Sequence, residues 1–150
     1  MFRRAFSSSA SCTLGVRRMI RGDGAGEFVT ITYDRDDAHR QMTIRLSGAF
    51  DLVSALAMVA SLAADDAWSY KILYDTQALM TAPTMIELQS LVDRVQVMAA
   101  TKPRGPLAIV SPDPGVYTMA QVYATRLDGR VNISVFRTLD EGQLWLEGEG

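Results

Sequence analysis

The sequence predicts a single α/β domain, with a mixed and mostly parallel sheet, helices packed on it and the order ββαβαβαβα. Three observations carry that reading. Two neighbouring segments alternate apolar and polar residues with period two, the mark of half-buried strands. Leu107-Ala108-Ile109-Val110 is a short continuous apolar run, as in a strand covered on both faces. Three longer segments repeat their apolar residues at i, i+3, i+4 and i+7, and short strands alternate with them, which calls for right-handed crossovers and parallel pairing. At 150 residues, with 48% apolar and 21% charged residues, the composition is that of a globular chain, and the length suits one domain.

The elements follow in order. Phe28 to Tyr33 and Gln41 to Ser47 read as two strands of a hairpin, joined by the charged turn Asp34 to Arg40, and Gly48 ends the second. Asp51 is placed to cap a helix running to about Ala64, with Leu52, Leu56, Val59, Leu62 and Ala63 inward and Ser54, Ala57, Met58 and Ser61 outward. Trp68 leads into a strand over Tyr70 to Asp75. Pro83 and the Thr84-x-x-Glu87 capping box start a second helix, whose inward face is Leu88, Leu91, Val92, Val95, Met98 and Ala99. Lys102 to Pro106 breaks it before the apolar run at Leu107. Pro114 and Gly115 introduce a third helix with Val116, Met119, Ala120, Tyr123, Ala124 and Leu127 on one face, closed by Asp128-Gly129. Val131 to Phe136 is the last strand. Thr138-x-x-Glu141 is a second capping signature, before a short terminal helix in which Trp145 and Leu146 are expected to close the core.

The first 22 residues are set apart as a leader, leaving residues 23–150 for the domain. The segment holds Arg3, Arg4, Arg17, Arg18, Arg21 and four serines, and no acid. Three readings stay open: a start at Met19 with upstream sequence wrongly included, a disordered tail, or a mitochondrial transit peptide. The expected compartment is the cytoplasm, or the mitochondrial matrix if the leader is a transit peptide. No stretch approaches the ~18 apolar residues that span a bilayer. Without the five leader arginines the chain has 10 basic against 17 acidic residues, a poor electrostatic match for nucleic acid.

Residue chemistry argues against catalysis. Cys12 is the only cysteine and His39 the only histidine, which excludes internal disulfides and the usual zinc sites; no metal and no cofactor is expected. His39 lies in the charged turn and reads as solvated. Asp34, Asp36 and Asp37 lack the spacing of a calcium loop. Gly22, Gly24 and Gly26 precede a strand, whereas a phosphate-cradling loop follows one. Asp75 stands at the carboxyl edge of its expected strand, where open sheets bind ligands, but with no partner acid or base it reads as a loop-stabilising acceptor.

Two features point to binding. Leu52 to Ala64 and Thr76 to Ile86 carry no charge, which marks Ala57, Met58, Ser61, Leu79, Met80 and Met85 as a candidate surface for something apolar, either a protein, including a second copy of the chain, or a small ligand. The strings Gly115-Val116-Tyr117-Thr118-Met119-Ala120-Gln121-Val122-Tyr123 and Val135-Phe136-Arg137-Thr138-Leu139-Asp140-Glu141 through Trp145-Leu146, with the element order, resemble the STAS domain and its SpoIIAA-like branch, whose fold is similar to that of CRAL-TRIO lipid carriers. The likeness spans about Phe28 to Glu147 and rests on packing motifs. It implies a non-enzymatic regulatory or protein-binding module of the kind that includes the anti-anti-sigma factors, or alternatively a small carrier of an apolar, lipid-like ligand. The family's phosphorylated serine would fall in Ala82-Pro83-Thr84-Met85-Ile86, which lacks the usual acid, serines and glycine. Thr84, with Thr81 near it, is then the candidate phospho-acceptor, although a capping box accounts fully for Thr84.

Overall fold

The structure, a computed structural model, describes residues 30–149. The leader, Cys12, the glycines at 22, 24 and 26, and the expected strand start at Phe28 lie outside the described residues. The element order is the one the sequence predicts: β1 (Thr30–Asp36), β2 (Gln41–Gly48), α1 (Leu52–Ala64), a 3-10 turn (Asp66–Ser69), β3 (Lys71–Leu79), α2 (Met85–Thr101), β4 (Leu107–Val110), α3 (Pro114–Arg126), β5 (Ile133–Phe136) and α4 (Leu139–Gly148). The five strands lie side by side in chain order. β1 and β2 form the antiparallel hairpin, and every later pairing is parallel.

Strand order explains where the helices go. Each right-handed crossover moves one strand further along the same direction, so successive helices fall on one face. The side chains divide accordingly. Met42, Ile44 and Leu46 of β2, Ile72 and Tyr74 of β3, and Leu107 and Ile109 of β4 join Val59, Leu62, Leu88, Val92, Val95, Val116, Ala120 and Tyr123 in the main core. The alternate residues Leu73, Ala108 and Val110 face the other way and pack on Leu146, with Phe136 and Trp145 beside them. The apolar run of β4 is therefore covered on both sides. Trp145 is only partly buried, its ring 5.8 Å from that of Phe136, while Leu146 is fully enclosed. The expectation that both residues close the core holds for Leu146 alone.

The helix starts are built as the sequence implies. Asp51 accepts the amide of Ser54 at 3.0 Å, and Asp113 accepts that of Val116 at 3.0 Å with Pro114 in the first turn. Thr84 and Glu87 make both halves of a capping box. At α4 only one half forms: Thr138 accepts the amide of Glu141, while the Glu141 carboxylate reaches the amide of Arg137, one residue further back. Gly129 has φ +88° beyond α3, a left-handed turn that glycine adopts without strain.

Three local expectations are corrected. Ser54 is buried rather than outward, because Asp51 accepts its hydroxyl as well as its amide and leaves no polar group unsatisfied. The hairpin turn is shorter than expected, with β1 running through Asp34 to Asp36. β3 continues four residues past Asp75 to Leu79. Arg45 of β2 pairs with Asp75 while Ser47 pairs with Ala78, so β3 carries one extra residue there. That bulge shifts the alternation and turns Leu79 inward. None of the described helices is long and apolar enough to cross a membrane.

Candidate ligand cavity

The main core is not closed throughout. Between the sheet and helices α1, α2 and α3 lies a cavity of about 100 Å³. β2 and the loop after it contribute Leu46 and Phe50, α1 contributes Ala55, Met58 and Val59, and β3 contributes Tyr74, Thr76 and Leu79. Pro83, Leu88 and Leu91 come from the start of α2, Ile109 from β4, and Val116, Met119, Ala120 and Tyr123 from α3. Small residues at the helix positions, Ala55 and Ala120, leave the space that larger ones would fill.

Two loops that adjoin lining residues, the one after β2 and the one after β3, are tied together. The Met80 amide donates to the Gly48 carbonyl at 2.7 Å, and the Phe50 amide donates to the Thr81 hydroxyl at 3.0 Å. Val53, Met80 and Ile86, close in sequence to the lining residues Ala55, Leu79 and Leu88, stand 71%, 79% and 81% exposed. These are large apolar side chains left in water.

Three lining residues carry hydroxyls. Thr76 is satisfied: it donates to the Val110 carbonyl at 2.7 Å and lies 2.9 Å from the Ser111 hydroxyl. Tyr74 accepts a hydrogen bond from Arg104 Nη2 at 3.3 Å. Tyr123 makes no hydrogen bond to any described residue. Burial pushes both phenols above the ordinary tyrosine value, and the Arg104 charge partly offsets the rise in each. Arg104 reaches in from the loop between α2 and β4, its guanidinium 4.3 Å from the Trp68 ring centroid and donating to the Trp68 carbonyl at 3.1 Å. Among the described residues its Nε is sealed from solvent without a partner, and none of its contacts is a carboxylate.

The residues singled out from sequence are only partly brought together. Met58 and Leu79 line the cavity, Leu79 as part of the core rather than of a surface. Met80 and Met85 are exposed and do not line it, and Ala57 and Ser61 are exposed on α1. Thr84 and Thr81 are exposed, yet each hydroxyl already accepts a backbone amide that holds the two loops together or the start of α2. His39 sits in the open with Asp36 Oδ2 at 2.8 Å. Asp75 is buried on the opposite face of the sheet, where it accepts the Gln77 amide at 3.0 Å and lies 4.0 Å from Arg45 Nε. Among the described residues no group of three or more His, Cys, Asp or Glu is placed to hold a metal ion. Sequence reasoning missed Tyr74, Tyr123 and Arg104 as one group. They come from a strand, a helix and a loop, and no local spacing links them.

No protein-family model matches the chain, and no curated protein matches it.

Proposed function

We propose that this protein is a non-enzymatic binding module of the STAS/SpoIIAA-like kind that holds a small apolar ligand between its helices and its sheet. The observation that carries the reading is the apolar cavity of about 100 Å³ between the sheet and helices α1, α2 and α3, with Val53, Met80 and Ile86 exposed on the segments that supply its wall. Cavities of roughly 150 Å³ with apolar walls stay dry and take up benzene, so a space on this scale suits one ring or a short chain. Toluene titrated into the full chain should raise its melting temperature in a concentration-dependent way, since a ligand of the native state stabilises by mass action. Unchanged melting up to the solubility of toluene would remove the reading.

A second reading, a protein contact on the exposed surface, is favoured by the same three exposed apolar residues. One pair of variants separates the two. Met58→Glu places an unpaired charge in the cavity wall and should abolish ligand uptake; Met80→Glu alters only the exposed surface and should abolish co-purification of a protein partner. Loss of ligand and partner in both variants would leave the two sites undivided and sink the distinction.

A further inference from the structure

Two phenols of the cavity wall, Tyr74 and Tyr123, and the guanidinium of Arg104, which reaches Tyr74 from outside the cavity lining, form an incomplete hydrogen-bonding group. The Tyr74 oxygen accepts from Arg104, so its own hydrogen is left to donate, and no described residue accepts it. The Tyr123 hydroxyl has no described partner, although its side chain is more than nine-tenths buried. Among the described residues Arg104 Nε is the sealed side-chain polar atom without a partner, so the Tyr123 hydroxyl is not sealed off, and Tyr123 borders the cavity. Arg104 adds a positive charge with no carboxylate beside it.

Buried donors are ordinarily paired, and a donor group without an acceptor inside a cavity marks the place where a ligand supplies one. A phenol that already accepts from a cation is polarised toward donating its proton. We infer that the ligand is a small amphiphile whose apolar body fills the cavity and whose carboxylate head accepts hydrogen bonds from Tyr74 and Tyr123, over the uncompensated charge of Arg104. A neutral acceptor would satisfy the hydroxyls but not the charge. Water bound there would satisfy the hydroxyls without any ligand. Thr76 takes no part, since its hydroxyl is committed to Val110 and Ser111. The inference rests on the proposed function and adds the chemical class of the ligand to it.

The test compares two probes of similar body and different head, benzoate and toluene, by titration calorimetry on the full chain at neutral pH. Benzoate should bind at least tenfold more tightly than toluene. Tyr123→Phe and Tyr74→Phe, which keep ring and volume, should each shrink that preference at least fivefold. Arg104→Gln should also lower it, and because that change reaches the Trp68 contact the two phenylalanine variants carry the decision. Equal binding of the two probes, or a preference that survives both phenylalanine variants, overturns the carboxylate while the cavity reading stands. Binding of neither probe overturns both.

Discussion

Filling the cavity should make the protein more stable and less able to bind. Ala120 lines the cavity from α3 and is 8% exposed, and replacing it by leucine adds three carbons pointed into the space. An unfilled apolar cavity of about 100 Å³ costs on the order of 2.4 kcal/mol at ~24 cal/mol per Å³. Three methylene-sized groups give a similar upper bound at ~0.8 kcal/mol each, and the leucine loses ~0.5–1 kcal/mol of rotamer entropy. Ala120→Leu should therefore stabilise by about 1–2 kcal/mol, read in urea unfolding as a higher midpoint at unchanged slope. The same variant should no longer bind toluene. A loss of 1 kcal/mol or more at unchanged slope would show that α3 sits closer to the sheet in solution, so that the leucine meets atoms instead of space.

Gly105→Ala should destabilise by at least ~3 kcal/mol, because its Cβ would stand 2.3 Å from the Tyr70 carbonyl oxygen and 2.4 Å from that of Ser69, both backbone atoms that cannot step aside; thermal melting checks it. Leu146→Ala should cost ~2–5 kcal/mol and more than Trp145→Ala in denaturant unfolding, since the leucine is fully enclosed and the tryptophan half open. Stability should fall above pH ~10, where the unfolded phenols ionise while burial holds Tyr74 and Tyr123 protonated in the fold. Each such group contributes fully below its unfolded value and loses about 1.4 kcal/mol per pH unit as the pH rises toward its folded one. Tyr123→Phe should flatten that decline in urea titrations between pH 9 and 11, and an unchanged slope would place the phenol in water.

The parts of the fold that were readable from sequence are those written in local chemistry. Thr84 with Glu87, Asp51 as a cap, and Pro114 with Gly115 each announce a helix start, and all three starts are where the pattern puts them. The run at Leu107 announces a strand covered on both faces, and α4 supplies the second cover. Leu79 was misread because a single extra residue in β3 reverses which side chains face in, and that residue shows only in the pairing with β2. Ser54 was misread because helical spacing ranks a serine as outward unless its capping partner is known to take the hydroxyl. The cavity was legible only as an uncharged stretch. Its two phenols, Tyr74 and Tyr123, come near Arg104 only through the way α3 and the loop after α2 lie against the sheet.

Strand order also bears on edge-to-edge pairing between copies of the chain. A sheet with strands in sequence has two open edges, and among the described residues β1 pairs on one side only. An edge strand is a template for another chain's strand. β1 ends in Asp34-Arg35-Asp36, with Asp34 2.6 Å from Arg45 of β2 and Arg35 2.6 Å from Asp37, so an incoming strand would have to strip water from a row of charges. The opposite edge, β5, has no such charges but is four residues long and half-buried, with α4 packed against it. One border is guarded by electrostatics and the other by brevity and cover.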